Sequence, residues 1–207
     1  MLQKTLLKNL FTTLLLLVAV SAEENPSSPY SLNLSNMLLF GSGCPDGTVN
    51  VISSTDGKTV TVLFSNYYAQ TSDDTMFDRK SCNVAVPFQV SPSKQISLHR
   101  IDYRGYTYIP EGEGSETNFG IEYFFAGTKG PIVTRSFTEE EDIVITDEVP
   151  IAAWSSCGGS EIFRINTSIK AKKENKDDED AFIAIDSVDS SETNTIALVY
   201  YFNEQDC

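Results

Sequence analysis

Histidine is almost missing from this chain: His99 is the only one in 207 residues. A serine or cysteine hydrolase of the imidazole type would have to use it. A zinc site built on several histidines is excluded by count. There is no Cys-x-x-Cys pair, which argues against zinc ribbons and thioredoxin-like redox sites. There is no Gly-x-Ser-x-Gly elbow either. Basic residues are scarce, with 15 Lys and Arg against 29 Asp and Glu, for a formal net charge of −14. Phosphate contacts need clustered Lys and Arg, so this balance argues against nucleic acid and anionic membrane surfaces as partners. It favours solubility, cations or basic partners. After the first 22 residues no apolar run approaches the roughly 20 residues a spanning helix needs. No window there keeps a sustained helical period.

What is present begins with an export signal over residues 1–22. Lys4 and Lys8 lead, Leu10 to Val20 is an almost unbroken apolar run, and Val20-Ser21-Ala22 offers a cleavage site. Removing it takes away two lysines and no acid, so the formal charge goes from −14 to −16. Residues 23–37 contain Pro26 and Pro29 and read as a flexible leader. Residues 38–207 read as one domain, large enough to bury a sizeable core. The expected location is secreted and extracellular. In that setting Cys44, Cys82, Cys157 and Cys207 read as two disulfides.

From Gly41 onward the pattern is strand after strand. Strands are expected at 49–51, 59–68, 82–90, 96–109, 119–126, 132–137, 149–154, 163–169, 181–188 and 195–202. Thr55-Asp56-Gly57-Lys58 is a hairpin turn between the first two. About ten short strands with turn residues between them predict an all-β fold, an antiparallel two-sheet sandwich of jelly-roll type. The core should hold Val60, Val62, Phe64, Phe163, Ile165, Ile196 and Leu198, with Trp154 buried. Ile96 and Leu98 share one face of their strand, but Ile101 and Tyr103 fall on the other. A bulge near His99 and Arg100 reconciles them. The charged run Lys170–Asp180 reads as a solvated loop and lacks the glycine and spacing of an EF-hand.

The residues that could carry a function are few. Tyr103, Tyr106 and Tyr108 cluster around Gly105 and are the candidate ligand-binding residues, as a platform for sugar rings; tyrosines of this kind also fill sandwich cores. Asp102 stands between Arg100 and Arg104, where an Asp–Arg pair ordering the strand is the simplest reading. Asp186 and Asp189 have oxygens to offer Ca²⁺, or cap a turn. The sequons are Asn33-Leu34-Ser35 and Asn166-Thr167-Ser168. No catalytic residue, metal site or cofactor is assigned.

Several strings in order resemble one family. They are Gly41-Ser42-Gly43-Cys44-Pro45, Arg79-Lys80-Ser81-Cys82, Asp102-Tyr103-Arg104-Gly105-Tyr106 and Trp154-Ser155-Ser156-Cys157-Gly158-Gly159, with Ile165-Asn166-Thr167-Ser168 and Asp186-Ser187-Val188-Asp189 after them. Their spacing is similar to the secreted family catalogued as domain of unknown function 4360, known mainly from fungi and some bacteria. The resemblance implies a secreted β-rich domain without a known activity, and it transfers no catalytic residue. The chain departs from the family at its end, where Tyr200, Tyr201 and Phe202 stand in place of a Trp before the last Cys.

Three cysteine pairings are possible, and Cys44–Cys82 with Cys157–Cys207 is the expected one. The second has a difficulty. A plain meander over the last three strands would leave Cys157 and Cys207 about 25 Å apart. The leading functional reading is a non-catalytic extracellular protein that binds polysaccharide or another protein. The alternative is a secreted hydrolase acting on polysaccharide through Asp102 and Asp186.

Overall fold

The structure is a computed structural model that describes residues 30–32, 36–56, 58–110, 114–148, 154–185 and 198–207. The export signal, most of the leader, Asn33, Asp186, Asp189, Ile196 and residues 149–153 of one expected strand lie outside the described residues. Thirteen strands are described: β1 (Tyr30–Leu32), β2 (Leu38–Phe40), β3 (Val49–Ser53), β4 (Thr59–Phe64), β5 (Tyr68–Gln70), β6 (Phe77–Val90), β7 (Lys94–Tyr108), β8 (Glu116–Phe125), β9 (Ile132–Phe137), β10 (Glu141–Glu148), β11 (Gly159–Lys172), β12 (Phe182–Ala184) and β13 (Leu198–Asp206). No α-helix occurs among the described residues.

The strands form two antiparallel sheets that pack face to face. The six-stranded sheet runs β1-β6-β11-β8-β9, with β2 also on β6. The seven-stranded sheet runs β3-β4-β13-β7-β12-β5, with β10 on β7. From β6 onward the chain passes repeatedly from one sheet to the other, which is the jelly-roll pattern. β7 organises its sheet. β13 pairs with residues 94–102 of β7, β12 with residues 106–108 and β10 with residues 100–107. The overlaps place β10 on one edge of β7 and both β12 and β13 on the other.

Alternation builds the core. β8 buries every second residue from Thr117 to Phe125, and β11 does so from Phe163 to Ala171. Val60, Val62, Phe64, Phe163, Ile165 and Leu198 are all buried. Phe163 is central, with ring centroids 5.2 to 6.1 Å from Phe202, Phe125, Tyr200 and Phe88. Such ring pairs add to area burial at about 0.5–1.5 kcal/mol each. The phase break in β7 is a bulge: the β13 register shifts between Tyr201 and Phe202, Arg100 faces Tyr201, Leu98 faces Phe202, and His99 is the extra residue.

Four expectations are corrected. Trp154 is only half-buried, because it lies at the open edge of β7 in an isolated bridge with Ser97. Glu141–Glu148, given no strand above, forms β10; its charged neighbours hide the alternation of Ile143 and Ile145. Tyr30–Leu32, within the stretch read as leader, pairs with β6. The charged run is not simply solvated. Residues 170–172 belong to β11, and Lys173 is fully buried. Burying an ammonium group is costly unless it is paired and hydrogen-bonded. Lys173 Nζ meets both conditions, with Asp180 Oδ1 at 3.1 Å and the Asp178 carbonyl at 3.0 Å.

Cys44 is bonded to Cys82 and Cys157 to Cys207, with Cα separations of 5.4 and 5.9 Å. Beside the first bridge, Gly41 has φ +139° and lies so close to β6 that a Cβ would meet the Ser81 carbonyl at 2.1 Å. Only glycine allows that approach. The second bridge closes because Cys157 does not follow a meander. Residues 154–158 run back along the open edge of β7, and Gly158 N donates to the Lys94 carbonyl. β13 runs down the opposite edge until Asp206 faces Lys94, and Cys207 N donates to the Ser93 carbonyl. Both cysteines therefore arrive at the first turn of β7.

Candidate binding face

Parity along β7 sorts the three candidate tyrosines. Tyr103 points inward and is fully buried, with its ring 4.8 Å from Phe119 and its hydroxyl donating to Asp147. Burial, then the hydrogen bond to Asp147, raises its hydroxyl far above the ordinary value. Tyr103 is a core residue and cannot belong to an exposed platform. Tyr106 and Tyr108 point outward and are half-buried. Between them and Tyr103, Gly105 faces the close approach of β12, where a Cβ would meet the Ala184 carbonyl at 2.2 Å.

β12 and β5 extend the exposed face with two rings absent from the candidates above. Phe182 faces Tyr108 across the β12–β7 pairing. Its ring lies 6.5 Å from Tyr106 and 5.9 Å from Tyr68, which is 43% exposed. The alternation Phe182-Ile183 marks Phe182 as outward, but only strand pairing sets it beside Tyr106.

A concavity of about 650 Å³ opens beside these rings, lined by Tyr106, Tyr108, Ile109, Pro110 and residues 138–142. Glu139, Glu140, Glu141 and Asp142 turn its far wall acidic. The Tyr106 hydroxyl donates to Glu140, and that bond, ahead of desolvation, pushes the hydroxyl up to about 12. The Tyr108 hydroxyl donates to Glu179 Oε2 at 2.9 Å. Glu179 stands on the loop that buried Lys173 pins. Each ring is thus held by a carboxylate from a different loop. Rings fixed this way offer flat faces to the C–H surface of a sugar, while carboxylates accept its hydroxyls or meet a cation. The same wall repels anions.

Further along the same outer face, Asp102 is committed. Its carboxylate accepts from Arg100 Nε at 2.8 Å and Nη2 at 2.6 Å, Thr146 Oγ1 at 2.8 Å and the Tyr201 hydroxyl at 2.8 Å. Partial burial raises its pKa, but the bonds from Arg100, Thr146 and Tyr201 outweigh this and hold it below the ordinary value. Arg100 also lies 4.7 Å over the Tyr201 ring. A carboxylate held in its charged form by four donors is poorly placed to give up a proton. His99 Nδ1 is buried without a hydrogen-bond partner among the described residues, so none of the described carboxylates orients the ring through that nitrogen.

On the six-stranded sheet, Asn166 faces outward and donates from Nδ2 to Glu122 Oε2 at 3.1 Å. Among the described residues no group of three or more His, Cys, Asp or Glu stands ready to hold a metal ion. No described helix is long and apolar enough to cross a membrane.

Fold and bridges define a disulfide-bonded antiparallel β-sandwich of the secreted kind. The chain belongs to the family described as Domain of unknown function (DUF4360), which it matches over residues 31–207. It is 29% identical over 180 residues to an uncharacterized secreted protein of Arthroderma benhamiae, covering 81% of this chain and 70% of that one. The protein is secreted. Among solved structures it is similar to TmCBM61 in complex with β-1,4-galactotriose, at 11% identity and TM-score 0.31, covering 83% of this chain and 90% of that one. It is also similar to a family 11 carbohydrate-binding module from Clostridium thermocellum in complex with a β-1,3-1,4-mixed-linked tetrasaccharide, at 9% identity and TM-score 0.19, covering 84% and 96%.

Proposed function

We propose that this protein is a non-catalytic extracellular binding protein whose ligand, a wall polysaccharide, seats on the Tyr106–Tyr108 face. The observation that carries this reading is the pair of outward rings, each held by a carboxylate of a separate loop, beside a concavity of about 650 Å³. Preorganised rings give up little conformational entropy on binding, which favours a shallow polar ligand. Phe182 and Tyr68 lengthen the contact in one direction, and the acidic wall selects neutral or cationic chains over anionic ones.

Retention of the purified protein on insoluble glucan, chitin and cellulose tests the proposal. Binding to at least one polymer is expected, with loss in the Tyr106→Ala and Tyr108→Ala double variant. No retention on any polymer overturns the sugar reading and leaves a protein partner as the ligand. The hydrolase alternative draws no support from Asp102, whose oxygens are engaged by Arg100, Thr146 and Tyr201. Asp186 lies outside the described residues.

A further inference from the structure

The outer face of the six-stranded sheet holds a groove of about 290 Å³ that the proposed function leaves unused. Two cross-strand rows build it. Ser81, Ser168, Gly120 and Thr134 form one row, and Asn83, Asn166, Glu122 and Ile132 the other. Gly120 supplies the floor: its missing side chain leaves space between Ser168 and Thr134, whose hydroxyls a Cβ would meet at 3.1 and 3.9 Å. No hydrogen bond among the described residues occupies the hydroxyls of Ser81, Thr134 or Ser168. Beside the groove, Ile132 is 71% exposed on β9, which pairs with β8 alone among the described strands. An apolar residue on an open edge invites pairing with other chains unless something covers it.

Asn166 opens the sequon Asn166-Thr167-Ser168 and lies in this groove. We infer that Asn166 carries an N-linked glycan whose first sugar seats in the groove over Gly120 and shields the β9 edge. The donor class is an oligosaccharide linked to a lipid diphosphate. Asn166 Nδ2 forms a bond to the sugar's C1, the C1–O bond to the diphosphate breaks, the lipid diphosphate leaves with that electron pair, and one amide proton goes to a base. Nδ2 keeps its second proton, so the bond to Glu122 survives the modification. The hydroxyls of Ser81, Ser168 and Thr134 are placed to receive those of the sugar.

Transfer must precede folding. In the sheet, β11 is paired on both edges, and Thr167 is buried with its Oγ1 bonded to the Tyr67 hydroxyl at 2.9 Å and to the Cys82 carbonyl at 3.3 Å. An enzyme cannot reshape a sequon locked in this way without unfolding the central strand.

The test is to secrete the full chain from a eukaryotic host and map its peptides by mass spectrometry. The Asn166 peptide should carry a hexosamine-containing mass that peptide N-glycosidase removes, converting Asn166 to Asp. Asn166→Gln and, independently, Ser168→Ala should each abolish it. Secretion of unmodified Asn166 overturns the inference. The seat has its own readout: release of the glycan should be about tenfold slower from native than from denatured protein, because the linkage is reached only through local opening. Thr134→Phe, on the exposed edge strand, should fill the groove and remove that protection. Equal rates in native and denatured protein overturn the seat even where the glycan is present. Neither result bears on binding through Tyr106 and Tyr108.

Discussion

The seven-stranded sheet turns the rings of Tyr68, Phe182, Tyr106 and Tyr108 outward, where loop carboxylates Glu140 and Glu179 hold two of them, whereas the six-stranded sheet turns out mainly hydroxyls and amides around Gly120, with Glu122 and Arg79 at the same groove. Both faces come from the same alternation, with one residue in two serving the shared core. They differ in how their polar groups are spent. On the first, the tyrosine hydroxyls are tied to loop carboxylates, so the rings are fixed and the wall is charged. On the second, the hydroxyls of Ser81, Ser168 and Thr134 have no hydrogen-bond partner among the described residues. A fixed aromatic face suits recognition, and an open hydroxyl-lined groove suits a permanently attached sugar.

The contrast depends on the core, so the largest expected effect is to break both faces together. Phe163→Ala removes the ring that touches Phe88, Phe125, Tyr200 and Phe202 and should cost about 3–5 kcal/mol. Urea unfolding would show it as a lower midpoint with an unchanged slope.

The disulfides give the next effect, and a difference between the sheets. Cys44 and Cys82 are buried against the six-stranded sheet, while Cys157 and Cys207 are exposed at the end of β7. Loop closure alone makes each worth roughly 4 kcal/mol. Replacing Cys44 and Cys82 by Ser should cost more than replacing Cys157 and Cys207, because it also buries two hydroxyls. Mild thiol treatment followed by alkylation and peptide mapping should open Cys157–Cys207 first. The reverse order would break the comparison.

Asp102 sharpens the picture on the seven-stranded face. Its folded pKa is depressed, so its contribution is present above the unfolded value of about 3.9 and is lost as pH falls through the folded value. Asp102→Asn should lower Tm at neutral pH, by less than either change above, and the difference should vanish in acid. A Tm gap that persists below the folded pKa would mean that the loss is one of packing.

The smallest effect on stability belongs to the two tyrosines proposed to bind the ligand. Tyr106→Ala with Tyr108→Ala should abolish polymer retention yet shift Tm less than Asp102→Asn, since both side chains are only half-buried at the surface. Asn166→Gln should leave retention unchanged. If it weakens retention instead, the assignment of ligand to one face and glycan to the other is reversed.

Much of this was legible in the residue order. Period-two alternation marked the sandwich, and the phase break between Leu98 and Ile101 located the bulge at His99. Parity alone could have separated Tyr103 from Tyr106 and Tyr108, since side chains alternate strictly along a strand. The acids at both ends of Glu141–Glu148 hid β10, leaving only Ile143 to Thr146 between them to show a strand. What only the tertiary structure decided is which distant elements meet. Glu140 reaches Tyr106 from 34 residues away, Glu179 reaches Tyr108 from 71, and Cys157 reaches Cys207 along the opposite edge of β7. Buried Lys173 finds its partners where the loop turns back, at Asp180 and the Asp178 carbonyl. Alternation is a local property that each strand carries in its own residues. Strand order and register come from closing two sheets on one core, and no single segment encodes that closure.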